Sequence, residues 1–243
     1  MLSIIIPTLN EEKYLPLLLN SIKQQKVRED YEIIVADAGS KDKTLKIAKG
    51  FGCKIALGGL PARGRNKGAR VAKGDLLLFL DADLKLPNDF LEKSLEEFKE
   101  RKLKVASYRL EPETKKRIVK TGFNLLYNRP ITFSEKLLAY GAMGILVKKE
   151  IFKKVGGGFD ENVKFSEDHY FVRQASKIGK FGIIRSTKIY ITLRRFEADG
   201  YLKTLFKYLV CNLYMFSGRA VRSDIFRYRF NHYSSTKKER NKI

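Results

Sequence analysis

Asp81 and Asp83 stand directly after five consecutive apolar residues, Leu76 to Leu80, in the stretch Gly74-Asp75-Leu76-Leu77-Leu78-Phe79-Leu80-Asp81-Ala82-Asp83-Leu84. A short apolar run without alternation suits a strand buried on both faces, the kind found in parallel sheets. In extended backbone, positions i and i+2 point the same way. The two carboxylates are therefore expected to project together from the carboxyl end of a core strand, where open α/β sheets bind ligands. Side by side they repel, and their ionised forms need a compensating cation. Mg²⁺ is usually held by one or two carboxylates plus phosphate oxygens, so the pattern points to a divalent ion, Mg²⁺ or Mn²⁺, that carries a diphosphate. A solvated Asp-x-Asp turn is the plainer alternative, and the buried strand before the pair favours the site.

Other residues with metal or redox chemistry are few. His169 and His232 are the only histidines. Either could be a third metal ligand, although a lone histidine is more often a surface or core residue. Cys53 and Cys211 match no metal or redox spacing and read as buried or idle thiols in a reduced compartment.

The chain has 243 residues, enough for one domain or one domain with an appendage, and 44% of them are hydrophobic, which excludes disorder. Its formal charge of +22 points to an anionic partner: nucleic acid, phospholipid or a phosphorylated small molecule. Met1-Leu2-Ser3-Ile4-Ile5-Ile6-Pro7 has no basic region before its apolar run and reads as a first strand, not a signal peptide. No apolar run approaches the roughly 18 residues that span a bilayer, so the expectation is a protein that is soluble or lies on a membrane.

Strand and helix patterns alternate along the first half. Leu2–Ile6, Glu32–Ala36, Cys53–Leu57, Leu76–Leu80 and Val105–Leu110 read as strands, with Pro7-Thr8-Leu9-Asn10 breaking the first. Helices are expected after Asn10, with Leu15, Leu18, Leu19 and Ile22 at helical spacing and Pro16 early in it, after the turn Gly39-Ser40-Lys41-Asp42, over Arg63–Lys73 and from Pro87-Asn88-Asp89. This order predicts a parallel, doubly wound sheet. Glu111–Tyr140 is mixed and helical. Gly144–Val147 reads as a strand, Glu150–Val155 and Asp168–Ile178 as helices, and Ile183–Ile184 and Ile189–Leu193 as two late strands. Residues 1–198 form the expected main domain. Residues 199–243 are an amphipathic, basic helical extension in which Tyr201, Leu205, Leu209 and Phe216 give an apolar stripe. Such a stripe suits an anionic membrane face or ordinary packing.

Several of these pieces together resemble the family 2 glycosyltransferases, over roughly Leu2 to Phe196. Ile4-Ile5-Ile6-Pro7-Thr8-Leu9-Asn10-Glu11-Glu12 is similar to the family's first strand and donor-nucleotide loop. Glu32-Ile33-Ile34-Val35-Ala36-Asp37-Ala38-Gly39-Ser40 is similar to its second strand and turn, although many members carry a second acid where this chain has Ala38. Arg65-Asn66-Lys67-Gly68 precedes the metal strand, and Asp81-Ala82-Asp83 matches the DxD motif. Ala139-Tyr140-Gly141 and Gly157-Gly158-Phe159-Asp160-Glu161 resemble the acceptor side, and Ser166-Glu167-Asp168 resembles the ED motif. The Gln/Arg-x-x-Arg-Trp motif of processive synthases is absent, as are their membrane helices, and Leu193-Arg194-Arg195-Phe196 stands instead, which argues for single transfer.

The resemblance implies a GT-A fold, Rossmann-like with a mostly parallel sheet flanked by helices. It implies a metal-dependent inverting transfer of sugar from a UDP- or GDP-sugar to a lipid-phosphate or glycan acceptor. Pro7, Thr8, Asn10, Glu11, Asp37, Arg65 and Asp81 would bind the nucleotide, and Asp81 and Asp83 the metal. Asp168 would act as base with Glu167 beside it, and Gly141, Arg194 and Arg195 would meet the acceptor or phosphate. Plainer readings stand beside these. Glu167-Asp168 could only favour a helix dipole, Arg194-Arg195 could guard a strand edge, Asp37 could form a turn, and Arg65 could face solvent. The expected setting is cytoplasmic, at the inner face of the membrane. A nucleotidyltransferase is one alternative, but it would want a Gly-rich triphosphate loop after the first strand. A basic nucleic-acid-binding protein is another, but it leaves the acid-tipped strands unexplained.

Overall fold

The computed structural model describes residues 1–141, 143–163, 166–194 and 200. In chain order it forms β1 (Leu2–Thr8), α1 (Leu15–Lys23), β2 (Tyr31–Asp37), α2 (Thr44–Gly50), β3 (Lys54–Leu57), α3 (Pro61–Val71), β4 (Leu76–Leu80), β5 (Leu84–Lys85), α4 (Phe90–Glu100) and β6 (Val105–Pro112). Then follow α5 (Arg117–Phe123), a π-helical turn over Asn124–Asn128, α6 (Arg129–Phe133), β7 (Gly144–Lys148), α7 (Lys149–Lys154), α8 (Glu167–Ser176) and β8 (Phe181–Ile191).

The strands make one sheet in the order β3-β2-β1-β4-β7-β6-β8-β5. β1 pairs in parallel with both β2 and β4, and β2 with β3. β7 runs against both β4 and β6, β6 and β8 are parallel, and β5 runs against β8. The sheet is mostly parallel, as expected, with two reversed strands.

Side chains alternate across this sheet and feed two cores. Ile4, Ile6, Leu78 and Leu80 pack with α1 and α4 on one face, through Leu15, Leu18, Leu19, Phe90 and Phe98. Ile5, Ile34, Leu77 and Phe79 pack with α3, α7 and α8 on the other, through Ala62, Ala69, Phe152, Phe171 and Val172. α3 is polar in composition, yet it lies close on β1 because Gly68 faces the Ile5 side chain, where any Cβ would collide.

The structure differs from the sequence expectations in three places. Pro7 does not end β1, which continues to Thr8 paired with Asp37. Pairing with β4 stops at Ile5, so on that side the missing N–H of proline costs no ladder bond. The two expected late strands are one strand, β8, whose register against β6 jumps between Tyr108 and Arg109. Arg185, Ser186 and Thr187 bulge there, and Glu97 accepts the backbone N–H groups of Arg185 and Ser186 at 2.8 Å each. The short strand β5 was not foreseen. Cys53 is buried and free, and burial pushes its thiol up to about 11. The expected extension over 199–243 lies outside the described residues apart from Gly200. Among the described residues no helix is long and apolar enough to cross a membrane.

Candidate active site

The parallel half of the sheet delivers the first acids. β4 ends at Leu80, opposite Gly144 of β7, and Asp81-Ala82-Asp83 is a turn into β5. The two aspartates therefore do not share one strand face, because the ladder has already ended when they are reached. Asp81 reaches Arg65 Nη2 at 2.7 Å. Asp83 Oδ2 reaches Arg194 Nε at 3.0 Å and accepts from Thr192 Oγ1 at 3.4 Å. The pair still interacts: burial, chiefly, raises the Asp81 carboxyl, Arg65 opposes this, and the charges of Asp83 and Asp168 add to it.

Arg65 does not face solvent. It lies on α3 at 4% exposure and forks between two elements, with Nη1 donating to Glu167 Oε1 at 2.5 Å and Nη2 to Asp81 Oδ1. Its guanidinium carbon stands 5.3 Å from the centroid of the Phe159 ring. Burial alone would weaken its hold on the proton; Asp81 and Glu167 more than reverse that, so Arg65 stays charged. The next residue, Asn66, fixes the loop after α7 by bonding both the N–H and the C=O of Phe159 at 2.8 Å and Glu161 at 3.0 Å.

Glu167 opens α8, and its carboxyl is raised by burial against the pull of Arg65. Asp168 follows, its Oδ1 accepting the His169 N–H at 2.8 Å. Gly141 passes directly over this helix start, where a Cβ would collide with the backbone of Asp168 and His169. His169 packs edge-on against Tyr140, at 5.7 Å between centroids, and burial lowers its pKa. It joins no metal cluster: among the described residues no group of three or more His, Cys, Asp or Glu is placed to hold an ion. Arg195 and His232 lie outside the described residues.

Arg194 arrives at the end of β8 and is already engaged. Both Glu11 oxygens accept from its guanidinium, at 3.0 and 3.1 Å, while its Nε meets Asp83. The planar group lies 4.5 Å from the Tyr14 ring centroid. Burial raises the Glu11 carboxyl, and Arg194 opposes it. Sequence reasoning missed Tyr14 and Thr192, which carry no motif signal.

The loops after β1 and β2 are bonded to each other. Thr8 Oγ1 donates to Asp37 Oδ2 at 3.1 Å, and Asp37 Oδ1 accepts the N–H groups of Gly39 and Ser40 at 2.9 and 2.8 Å. Asn10, with a left-handed φ of 55°, donates its N–H to Ser40 Oγ and accepts from the Lys41 N–H, both at 2.8 Å. Glu11 N–H reaches Thr44 Oγ1 at 2.8 Å. Asp37 thus shapes this loop pair; Pro7 stands in β1 where the loop begins.

Among the described residues, Glu11, Asp81, Asp83, Glu167 and Asp168 interact electrostatically around Arg65 and Arg194, more carboxyl groups than cations. An all-oxygen donor set with surplus negative charge fits a hard divalent ion such as Mg²⁺ or Mn²⁺.

A family model described as "Glycosyl transferase family 2" matches residues 3–155. An uncharacterized glycosyltransferase of Haemophilus influenzae is 31% identical over 185 residues, covering 71% of this chain and 60% of that protein. The poly(ribitol-phosphate) beta-N-acetylglucosaminyltransferase TarS of Staphylococcus aureus is 38% identical over 90 residues, 33% of this chain and 16% of its own. The chain therefore spans less than two thirds of the length of these relatives. Among solved structures, S. aureus TarS 1-349 in complex with UDP-GlcNAc aligns at a TM-score of 0.63 with 24% identity, over 79% of this chain and 58% of that one. The mannosyltransferase PcManGT from Pyrobaculum calidifontis, in complex with GDP-Man and Mn²⁺, aligns at 0.66 with 19% identity, over 86% and 64%. At these identities the structural likeness is one of fold.

Proposed function

The chain belongs to glycosyl transferase family 2, and we propose that it is a metal-dependent, inverting glycosyltransferase that makes single transfers from a UDP- or GDP-sugar. The observation that carries this reading is Arg65, which brings Asp81 of the DxD turn and Glu167 of the α8 start onto one buried cation. Relatives named as glycosyltransferases, and fold neighbours bound to UDP-GlcNAc or GDP-Man, support a nucleotide-sugar donor.

In this reading the loops holding Pro7, Thr8, Asn10, Glu11 and Asp37 carry the nucleotide. Asp81 and Asp83 would hold Mg²⁺ or Mn²⁺, which when bound would supply neutralising charge to the diphosphate leaving group. Arg65 keeps Asp81 and Glu167 in register and opposes the rise that burial imposes on both carboxyls. Arg194, beside Asp83, lies where a diphosphate drawn to that carboxylate's ion would meet a guanidinium able to bond two of its oxygens. Arg195 would add a second cation. Gly141 leaves room for the acceptor segment above Asp168. Asp168 takes the proton of the acceptor hydroxyl as that oxygen attacks the anomeric carbon. The new carbon–oxygen bond forms as the bond to the diphosphate breaks, the bonding pair leaves with the nucleoside diphosphate, and attack from the opposite face inverts the centre. A lipid-phosphate acceptor would already be an anion and would need no base; a glycan would. Residues 1–198 would act as the catalytic domain, at the cytoplasmic face of a membrane.

The test is thermal shift with a panel of UDP- and GDP-sugars, with and without Mn²⁺ or Mg²⁺, on the wild type and on Asp83→Ala. Metal-dependent stabilisation by one nucleotide, lost in the variant, is the expected result. No stabilisation by any nucleotide, together with tight and salt-sensitive binding of DNA or RNA, would overturn the reading in favour of a nucleic-acid-binding protein.

A further inference from the structure

The stretch from Lys115 to Leu137 carries two apolar rows. Phe123, Tyr127 and Ile131, four apart, face inward: Ile131 is buried and the two aromatics pack on the α4 side of the core. Asn128 fastens the same face, bonding the N–H and the C=O of Leu110 at 2.9 and 2.8 Å. The second row points away from the protein. Ile118 is 82% exposed, Leu126 75%, Phe133 93% and Leu137 87%. Ile118 lies on α5, Leu126 in the π-helical turn, Phe133 at the end of α6 and Leu137 in the turn that follows. Single exposed apolar residues are ordinary, whereas several large ones this exposed within one short stretch mark an interaction surface.

The charges of this stretch say what kind of surface it meets. Lys115, Lys116, Arg117, Lys120, Arg129 and Lys136 stand against a single acid, Glu135. Glu135 turns inward, paired with Arg101 and Arg185 and accepting the Ile183 N–H. Among the six cations only Lys120 pairs with a described carboxylate, Glu111, at 2.9 Å. A second copy of this face would set the same unpaired cations against each other. Residues 218–243 of this chain are themselves rich in Arg and Lys and would repel it likewise.

We propose that this outward face docks on the surface of an anionic lipid bilayer. Ile118, Leu126, Phe133 and Leu137 enter the headgroup boundary, and Lys116, Arg117, Arg129 and Lys136 meet lipid phosphates. The inference does not depend on which acceptor is used or on sugar transfer itself. Docked this way, the protein sets a cleft of about 480 Å³ near the bilayer, lined by Lys85, Glu113, Thr114, Lys115, Lys120 and Tyr190. Lys85 stands two residues beyond Asp83, so that cleft adjoins the DxD turn.

The experiment is co-flotation of the full chain with vesicles of phosphatidylglycerol and phosphatidylcholine, or of phosphatidylcholine alone. The wild type should float with the anionic vesicles only. Lys116→Gln/Arg117→Gln should weaken partition by roughly fivefold for each charge removed, and Phe133→Ser/Leu137→Ser should abolish it. Because the chain has no tryptophan, Phe133→Trp introduces a single emitter. Its fluorescence should shift to the blue on anionic vesicles and be quenched by brominated lipid. Wild type that stays with the lipid-free fraction, variants that float as well as wild type, or a Phe133→Trp emission that does not move would each overturn the proposal. So would a dimer in lipid-free solution that Phe133→Ser/Leu137→Ser dissociates, since a second copy would then cover the face.

Discussion

Arg65 and Glu167 lie 102 positions apart in the chain and 2.5 Å apart in the fold. The same guanidinium holds Asp81 at 2.7 Å. Removing one partner of a buried, hydrogen-bonded charge set leaves the others uncompensated, at a cost of about 3–5 kcal/mol. Arg65→Ala is therefore expected to lose stability on that scale in urea denaturation. Arg65→Lys should recover only part of it, because a point charge cannot fork between two carboxylates. Equal stability of all three proteins would show that the bridge does not hold the two acidic elements together.

Arg194 stands on the carboxylate assigned to the metal, Asp83. A guanidinium and a divalent ion compete for those oxygens. Arg194→Ala is expected to lower the Mn²⁺ concentration that half-saturates thermal stabilisation, severalfold, when no nucleotide is present. An unchanged Mn²⁺ titration would mean that the two cations do not share Asp83.

Gly141→Ala places a methyl group into the backbone of Asp168 and His169. Overpacking of this kind typically costs about 1–3 kcal/mol, and here the strain falls on the proposed base. The expected outcome is a lower melting temperature together with slower sugar transfer. A variant with wild-type melting and wild-type rate would show that the segment over α8 gives way freely.

Glu97 makes one stretch of the fold sensitive to acid. Burial raises its carboxyl, but the N–H of Ser186, Arg101 and the N–H of Arg185 together outweigh burial and set it below the ordinary 4.5. A carboxyl lowered by folding adds stability above its unfolded pKa, and that stability is lost as pH falls through the folded value. Glu97→Gln should cost about 1.5–3 kcal/mol at pH 7. Its stability should then decline less steeply than that of the wild type as pH drops below about 4.5. Parallel acid slopes in urea melts at pH 3.5–7 would rule this out.

The same Glu97 shows why part of the fold was hidden in the sequence. Leu76–Leu80 was legible because an apolar run with no alternation has one good home, the middle of a sheet. Phe181–Ile191 was not, because Arg185-Ser186-Thr187 interrupts its pattern, and what keeps the strand continuous is a carboxylate from a helix almost ninety positions earlier. At the site, Asp81 and Asp83 were found from spacing, yet their side chains part in a turn that no local rule specifies. The motif around Arg65 does not reveal that its side chain is buried. The clue lay in Gly68, which lets a polar helix approach β1 closely enough to enclose it. The grip of Glu11 on Arg194 spans 183 positions, and no periodicity encodes that.

The bonded loops after β1 and β2 carry a thermodynamic consequence. Thr8, Asn10 and Asp37 tie Ser40, Lys41 and Gly39 together by bonds within the chain itself, so the ordering entropy of those segments is spent when the chain folds. A nucleotide bound between them, as proposed, would meet a preorganised wall. Its association should show a rate free of conformational gating and a small heat-capacity change, without the signature of coupled folding.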